Sequence, residues 1–440
     1  MIIAARGATA AVRGLTARDH VRVATDGGLG GPGELPTPEP SVHVRGAQRI
    51  VIRPARVVRA LDGDPHVGEG SGVLTSADPE PTAHEIAFEV DRSDLERCRV
   101  VRSALPSIGD GQVVVTVERF AFTTNNLTYA VLGDELGYWR LFPSAPGWGR
   151  IPVWGHGVVT QSRHAQIAVD ARIYGLLQMS THVVMAPGDL RHGWFRDTSP
   201  HRADLSPVYN AYQVVPPAWD ADRRDRQALL APVFMLSFLL DALLAERHEF
   251  SAERVLVTSA SSKAALGLAH LLQRRGVPVT GLTSTGSVGF VDGLSVFGAV
   301  VSYDDVDDLD DRTTTIVDIA GNQALANALS DALGDRLQQR VSAGFTHRTD
   351  AQHGTGDHGL ATLFFAPDEV IARTRQWGRG EFQNRFAAAF DGFARWTTGW
   401  LRLVRAGGPA AVEAVYHRMR RGQVTPTDGV ILSLHPTMPT

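Results

Sequence analysis

Short apolar runs separated by Gly, Pro and Asp turns dominate the chain from residue 85 onward. The runs Glu85–Val90 and Gln112–Glu118 have the length and β-branched content of strands. Between about residues 225 and 345 strand-like runs alternate with helical stretches; these runs are Arg254–Thr258, Pro278–Thr283, Ala299–Ser302 and Thr315–Ile319. Such alternation predicts a parallel sheet built from βαβ units.

The tail after about residue 360 is mainly helical in pattern. Asp368–Gln376 and Glu381–Arg405 are amphipathic and predict helices, and Gly429–Leu434 is strand-like. The longest apolar stretch, Leu229–Leu244, contains Pro232 and Asp241 and is shorter than the roughly 20 residues that span a bilayer. We expect it to form a buried helix.

Residues 1–84 lack sustained periodicity and are rich in Gly, Pro, Asp and Arg. This composition buries too little apolar surface to offset the entropy lost on ordering, and predicts a disordered extension. A transit or secretory signal is the alternative, although no continuous apolar core follows the early arginines. The remaining patterns predict a β-rich module that begins at residue 85 and a parallel-sheet module between about residues 225 and 345.

Composition narrows the class of partner. Charged residues make up 20% of the 440 residues and the formal net charge is −4, so nothing indicates a nucleic-acid surface or a polybasic membrane anchor. We therefore expect a small-molecule substrate. The single cysteine, Cys98, excludes intramolecular disulfides and a thiolate-rich zinc cluster within one chain, and it fits a cytoplasmic location.

The segment Val255–Ala269 passes from an apolar run through small residues into a helical pattern. A turn of this kind collects free backbone N–H groups at the positive end of a helix, which forms a site for phosphate. Its small residues are Ser259, Ala260, Ser261 and Ser262. Lys263, the only lysine in the chain, follows them. We expect Lys263 to pair with a cofactor phosphate; the alternatives are a chance position and a loop that only lets the helix pack closely.

Several segments resemble the medium-chain dehydrogenase/reductase superfamily. Ile151–Val159 is similar to its motif P-x-x-G-H-E-x-x-G-x-V, Val169–Gly175 to V-G-D-R-V-x-G, and Gly281–Ser284 to the end of its second nucleotide-fold strand. A closer resemblance, over roughly residues 86–440, is to the branch catalogued as domain of unknown function 2855; it rests on Asn125–Ala130, Tyr138–Trp139, Gly147–Gly155 and Ser259–Lys263. The resemblance implies an α/β fold with a β-rich, GroES-like catalytic domain over residues 85–220 with 355–440 and a Rossmann cofactor-binding domain over residues 221–354. Superfamily members commonly form homodimers.

The resemblance also suggests the cofactor. The quinone-reductase branch reads G-A-S-G-G-V-G at the phosphate loop, and none of these glycines remains in Ser259–Ala265. After the second strand, where an NAD site would offer a carboxylate, the chain has hydroxyls, so we expect NADP(H) bound by Thr283, Ser284 and Ser287. No basic residue follows to hold a 2′-phosphate, which leaves NAD as the alternative. Contacts to the nicotinamide end would come from Asn322, Gly344 and His347.

His156 occupies the position of a zinc-ligating histidine of the superfamily. The cysteine expected with it is replaced by the Thr123–Asn126 region, and Gly157 stands in place of the glutamate. Zinc needs three or four ligands, so we expect no zinc, and expect His156 to be a pocket or core residue. His347, His353 and His358 are loosely spaced and indicate a solvated segment.

Without zinc, a side chain must stabilise the negative charge that hydride transfer leaves on a carbonyl oxygen. Tyr129 is the first candidate, with Asn126 as orienting residue and His156 or Tyr174 behind them; the alternative is that these residues only line the core. The predicted function is a zinc-independent NADP(H)-dependent oxidoreductase acting on an activated alkene, quinone or ketone. A catalytically silent nucleotide-binding protein and a non-redox biosynthetic enzyme on the same fold are the alternatives.

Overall fold

A computed structural model of the chain describes residues 84–191, 193–343 and 361–438. Its strands form a large, mainly antiparallel sheet, a six-stranded parallel sheet and a small three-stranded sheet. The strands are β1 His84–Asp91, β2 Cys98–Ala104, β3 Val113–Ala121, β4 Trp148–Gly149, β5 Pro152–Ser162, β6 Arg172–Gln178, β7 His182–Met185, β8 Pro187–Arg191, β9 Trp194–Asp197, β10 Ala211–Val214, β11 Arg254–Thr258, β12 Val279–Thr283, β13 Ala299–Ser302, β14 Thr314–Asp318, β15 Leu337–Ser342, β16 Ala361–Leu363, β17 Arg402–Gly407 and β18 Asp428–Ser433. The α-helices are α1 Thr124–Val131, α2 Ala221–Glu246, α3 Lys263–Arg274, α4 Val288–Gly293, α5 Gln323–Leu333, α6 Ala366–Trp377, α7 Arg379–Thr397 and α8 Pro409–Arg420.

The large sheet contains strands from both ends of the described chain. Its order is β17-β18-β3-β5-β6-β10-β9-β8, and β7 also pairs with β3. β18 lies antiparallel to β3, with Ile431 opposite Ala121 and Leu432 opposite Phe120. Almost every residue of β3 is buried, so this part of the sheet is covered on both faces. The tail of the chain thus completes the sheet that β3 begins.

The parallel sheet has the order β13-β12-β11-β14-β15-β16. Every residue of β11, β12 and β14 is buried, as expected when helices cover both faces. The chain runs outward from β11 through β12 to β13 and then returns to β14 on the other side of β11. This reversal leaves a crevice at the carboxyl ends of β11 and β14, where doubly wound sheets bind ligands. The predicted α/β class, with a β-rich sheet and a Rossmann sheet, is confirmed.

Helix α2 is the buried helix that the long apolar stretch predicts. It has 26 residues, and the N-cap Asp220 accepts a hydrogen bond from the N–H of Arg223 at 2.8 Å. Within the part of the chain that the structure describes, it is the one helix long and apolar enough to cross a membrane by length and composition. Because 72% of its most apolar window is buried inside the protein, it matches the core helix of a folded domain.

One helix boundary differs from the predicted one. The predicted helix Glu381–Arg405 ends at Thr397, because Arg402–Gly407 pairs with β18 as strand β17; tertiary pairing overrides helical periodicity there. Strand β16 pairs with β15 at the edge of the parallel sheet, and the predicted domain boundaries stay predictions. The predicted extension over residues 1–84 lies almost wholly outside the described residues, so its disorder stays a prediction.

Candidate functional site

A four-residue loop of small side chains joins β11 to α3. Ser259 opens it with a φ of 55°, a left-handed conformation that glycine normally adopts. The N–H of Ser259 donates to the hydroxyl of Tyr303 at 3.0 Å, and Ser262 caps α3 by accepting the N–H of Ala265 at 3.2 Å. The loop therefore keeps the sharp turn of a glycine-rich phosphate loop although the aligned glycines are replaced.

This turn leaves backbone donors free at the start of α3. Among the described residues no acceptor bonds the N–H groups of Ser261, Lys263 or Ala264. The neighbouring Ala260 packs closely on β12, since a Cβ added at Gly281 would lie 2.9 Å from the Cβ of Ala260. Unpaired N–H groups at a helix start, flanked by small side chains, fit the pyrophosphate of a dinucleotide.

Lys263 makes contacts other than the predicted ones. Its Nζ donates to the carbonyl oxygens of Pro426 at 3.1 Å and Asp428 at 3.0 Å, where β18 begins. Burial lowers the pKa of this ammonium to about 8, and the charge of Asp428 opposes the shift. The side chain thus joins α3 to the large sheet, and its predicted contact with a cofactor phosphate stays a prediction.

The end of β12 carries the predicted hydroxyls, with a carboxylate beside them. Thr283 is buried, and the Ser284 hydroxyl donates to the Ser287 hydroxyl at 3.2 Å. The Thr285 hydroxyl donates to the Asp304 carboxylate at 2.6 Å. Asp304 follows β13, so the sequence directly after β12 gives no indication of this carboxylate. Its presence bears on cofactor choice, because a carboxylate at this corner favours a free ribose 2′-OH.

Thr258 and Asp318 join the ends of β11 and β14 at the crevice. The Thr258 hydroxyl donates to Asp318 Oδ1 at 2.8 Å and accepts the N–H groups of Ile319 at 2.9 Å and Ala320 at 3.0 Å. Both side chains are buried. They fix the geometry of the crevice floor, a role that the sequence reasoning did not assign to either residue.

Asn322 caps helix α5. Its Oδ1 accepts the N–H groups of Ala324 at 3.0 Å and Leu325 at 3.3 Å, which is the ordinary use of asparagine at a helix start. The predicted contact of Asn322 with the nicotinamide end stays a prediction. Gly344 and His347, predicted for the same end, lie outside the described residues, as do His353 and His358.

Tyr129 presents a phenol to a large cavity. Its hydroxyl oxygen accepts hydrogen bonds from Asn125 Nδ2 at 3.0 Å and from Trp154 Nε1 at 3.3 Å. Within the described chain no acceptor takes the phenol proton, and Tyr129, Asn125 and Trp154 all line the cavity. Burial raises the pKa of Tyr129, and the two donated bonds partly oppose this effect. The phenol is thus held protonated and can donate to a ligand.

The structure corrects the residue expected to orient Tyr129. Asn126 Oδ1 accepts the N–H of Thr123 at 2.8 Å, and its Nδ2 donates to the carbonyl of Pro152 at 2.9 Å. Asn126 therefore belongs to the capping box of α1. Asn125, one turn before Tyr129, makes the orienting contact because residues four apart lie on the same helix face.

His156 lies behind the cavity wall. It is fully buried, its Nε2 lies 3.0 Å from the carbonyl oxygen of Arg224, and its ring packs 5.1 Å from that of Tyr174. Burial, with the nearby charge of Arg224, lowers the pKa of His156 to about 3, so the imidazole is neutral near pH 7. Its surroundings fit the predicted core residue better than a catalytic acid.

Among the described residues, His156 does not belong to a group of ligand atoms close enough together to hold a metal ion. In the described parts of the chain, Cys98, Glu413 and His417 are the group whose ligand atoms lie close enough together for a metal ion. Cys98 Sγ lies 3.6 Å from His417 Nε2 and 3.8 Å from Glu413 Oε1. These residues are on β2 and α8 and do not line the large cavity.

The cavity has a volume of about 1530 Å³. Aromatic side chains form one wall, namely Tyr129, Tyr138, Trp154, Tyr174 and Tyr209, and helices α6 and α7 form another. Ala343, which follows β15, and Phe364, which follows β16, also line it, so the cavity reaches the carboxyl edge of the parallel sheet. A group held by Tyr129 would share this space with the carboxyl edge of the parallel sheet.

Comparison with solved structures identifies the fold. CurA from Vibrio vulnificus, solved in complex with NADPH, matches with a TM-score of 0.50 and 9% identity, over 81% of this chain and 100% of that chain. A protein of Mesorhizobium loti provisionally named an NADPH:quinone reductase matches with a TM-score of 0.50 and 13% identity, over 80% of this chain and 99% of that chain. The fold is that of the medium-chain dehydrogenases and reductases.

Comparison of sequences identifies the family. No curated protein matches the chain. A family model described as "Protein of unknown function (DUF2855)" matches residues 120–425, more than two thirds of the 440 residues. That range includes Tyr129, the phosphate-type loop and most of the cavity wall. The chain therefore belongs to the DUF2855 family.

Proposed function

We propose that this protein is a zinc-independent, NADPH-dependent reductase acting on an activated alkene, quinone or ketone. The observation that carries the proposal is the Tyr129 hydroxyl, which accepts two hydrogen bonds and keeps its proton for a ligand in the cavity. The free N–H groups at the start of α3 support the cofactor half of the proposal. The NADPH complex of CurA, which has the same fold, supports the same cofactor class.

Bound NADPH would supply a hydride, and a side chain of the cavity would stabilise the negative charge that hydride transfer creates. Adding a hydride to the far carbon of a C=C–C=O group forms a C–H bond, breaks the C=C π bond and places negative charge on the carbonyl oxygen. The Tyr129 O–H donates to that oxygen and transfers its proton, giving an enol. Water then returns a proton to the phenolate, and the enol becomes the saturated carbonyl product.

Asp304 gives a direct test of cofactor preference. Its carboxylate, held by Thr285, would repel a 2′-phosphate, whereas the other groups at the end of β12 are hydroxyls. Replacing Asp304 by asparagine should therefore lower the Kd for NADPH by about tenfold, the effect of removing one like charge near the phosphate. The Kd for NADH should not fall. The Kd values of both cofactors are measured by fluorescence titration, and an unchanged NADPH affinity would place the 2′-phosphate elsewhere.

Titration with NADPH followed by a substrate panel tests the proposal as a whole. We expect micromolar binding with enhanced NADPH fluorescence, and NADPH oxidation when enones, quinones or ketones are added. Binding without turnover of any panel member would favour the catalytically silent nucleotide-binding protein. If the protein bound neither NADPH nor NADH, the reductase and the silent nucleotide-binding protein would both be rejected. The non-redox enzyme would then remain.

A further inference from the structure

The large cavity has more volume and more positive charge than a small enone needs. Its volume of about 1530 Å³ exceeds the roughly 300–1,000 Å³ of most small-molecule sites. Seven arginines from several elements line it, namely Arg191, Arg196, Arg223, Arg226, Arg375, Arg379 and Arg395. The shape and the charge of this wall therefore restrict which substrates the cavity can bind.

Most of these arginines have no counter-charge. Among the described residues no carboxylate pairs with Arg191, Arg223, Arg375, Arg379 or Arg395, whereas Arg196 pairs with Asp189 at 2.7 Å. Four aspartates also line the wall: Asp189 pairs with Arg196, Asp220 caps α2, Asp222 pairs with Arg405, and Asp391 makes no ion pair among the described residues. The arginines of the wall outnumber these aspartates, so its net charge is positive. A cleft lined by excess charge of one sign attracts and retains ligands of the opposite sign.

Helix α7 gives this wall its length. One face of the helix lines the cavity with Arg379 near its start, Phe386 and Phe390 in its middle, and Arg395 near its end. The separation of 16 residues between the two arginines corresponds to about 24 Å along a helix. Between the arginines this face carries Phe382, Phe386 and Phe390, with Gln383, Asn384 and Asp391 beside them. A row of aromatic side chains with a cation at each end fits a long hydrophobic group that carries a negative charge.

We propose that the substrate is an anionic amphiphile: a long acyl or comparable apolar group bearing a carboxylate or phosphate, with its reducible bond near Tyr129. This inference rests on the proposed function and names its substrate class. The apolar chain lies along Phe386 and Phe390, and an arginine at the junction of α6 and α7, Arg375 or Arg379, binds the anion. Guanidinium groups suit either anion because they form paired hydrogen bonds to both.

Ligand binding tests this inference separately from catalysis. The probes are trans-2-dodecenoate, its methyl ester, trans-2-dodecenoyl coenzyme A and the short acid crotonate, each titrated against the full-length protein with and without NADPH. We expect dodecenoate or its coenzyme A thioester to bind at least about tenfold more tightly than the methyl ester and crotonate, as one charge-assisted contact and the long chain imply. The tighter of the two anions identifies carboxylate or phosphate as the recognised group.

A pair of variants locates the anion site. The double variant Arg375→Gln, Arg379→Gln should weaken binding of the preferred anion by about tenfold and leave the methyl ester within about twofold. Arg385→Gln is the matched control, because Arg385 lies on α7 but pairs with Glu381 at 2.7 Å and does not line the cavity. Circular dichroism and thermal unfolding confirm that each variant is folded.

Each outcome separates the inference from the proposed function. Equal affinity for the anion and the methyl ester, equal affinity for long and short acids, or an unchanged affinity in the double variant would overturn the substrate class. NADPH oxidation with a small enone would still support the reductase in those cases. Tight binding of the long anion without NADPH binding would retain the substrate class and reject the reductase.

Discussion

The side chains around Tyr129 decide where its proton points. A phenol oxygen has two lone pairs, and Asn125 and Trp154 donate to it at 3.0 and 3.3 Å. Burial raises the pKa of Tyr129, so the proton stays on the oxygen at neutral pH. The two donors stabilise the phenolate when the proton leaves. Asn125 and Trp154 are thus positioning residues for a donor that faces the cavity.

Replacing Asn125 by alanine should lower kcat by about 2- to 10-fold, which corresponds to one lost hydrogen bond of about 0.5–1.5 kcal/mol. The Kd for NADPH should not change. Because the loss of a donor raises the pKa of the phenol further, the alkaline limb of the kcat profile should move to higher pH. An unchanged kcat with an unshifted profile would remove the positioning role of Asn125. Asn126→Ala is the control, and should lower thermal stability because Asn126 caps α1.

Sequence reasoning selected Tyr129 from a motif, and the structure places its hydroxyl on the cavity wall. The same reasoning paired Tyr129 with Asn126, which instead caps the helix. Two local rules separate the asparagines: a capping box uses the third helical residue, and side chains four residues apart share a face. Both rules apply only once the helix start is known, and α1 was not predicted. The acid Asp304 was missed because strand pairing, not chain order, brings it to Thr285.

Helix α3 and strand β18 are joined by a buried charge. Lys263 at the first position of α3 donates to two carbonyl oxygens where β18 begins. Its pKa of about 8 lies below the ordinary value of 10.5. Between these values the unfolded chain holds a proton that the folded protein has already released. The contribution of Lys263 to the free energy of unfolding therefore increases as pH rises through this window, by up to about 1.4 kcal/mol per pH unit.

Replacing Lys263 by methionine should lower the free energy of unfolding by about 1–3 kcal/mol at pH 7, since two buried carbonyl oxygens lose their donor. The stability difference between wild type and variant should widen from pH 8 to pH 9.5. The Kd for NADPH should stay within about twofold, because the ammonium faces β18 and no phosphate bond is lost. Urea unfolding across pH and NADPH titration measure these effects. A large loss of NADPH affinity with unchanged stability would restore the phosphate role of Lys263.

Strands of the parallel sheet were predicted well from the sequence. Strands β11 and β13 have the predicted bounds Arg254–Thr258 and Ala299–Ser302, because short apolar runs between turn residues leave little freedom. The segment after Thr397 was assigned to a helix because its apolar spacing also suits a helix. Only the pairing of β17 with β18 decides between helix and strand for this segment. That pairing is a tertiary contact, which the local sequence does not reveal.

Across the whole molecule, α2 joins the large sheet to the parallel sheet through charge and packing. Asp225 on α2 pairs with Arg119 on β3 at 3.1 Å, with side chains 0% and 2% exposed, and also with Arg405 at 2.6 Å. Arg224 pairs with Glu118 on β3 at 3.1 Å. Further along α2, Ser237 donates to the carbonyl of Ala264 in α3 at 2.7 Å. One helix thus contributes to the cavity wall and also contacts the start of α3, next to the loop that follows β11.

Replacing Asp225 by asparagine should lower the free energy of unfolding by about 3–5 kcal/mol, because the buried guanidinium of Arg119 loses its opposing charge. The matched control is Asp222→Asn, one turn away on the same helix. Its carboxylate also pairs with Arg405 but is 62% exposed, so the loss should stay below about 1 kcal/mol. Urea unfolding measures both variants. Similar losses of unfolding free energy in the two variants would mean that burial does not determine how much these ion pairs contribute to stability.

The overall fold could be predicted because an alternation of strands and helices is compatible with few topologies. Sequence motifs shared with a known superfamily reduced that number further. The substrate class could not be predicted, because the cavity wall combines residues from α1 to α7 that are remote in sequence. The homodimer, the cytoplasmic location and the domain boundaries stay predictions.

Single-turnover reduction by the Tyr129→Phe variant tests the central claim most directly. The variant keeps the ring and loses only the hydroxyl that faces the cavity. With NADPH and an enone that the wild type reduces, we predict a rate of NADPH oxidation lower by about 100-fold or more, the usual contribution of a positioned acid, with unchanged NADPH affinity. Tyr138→Phe, whose hydroxyl is already paired with that of Tyr209, should stay within about tenfold. An unchanged rate for Tyr129→Phe would contradict the account.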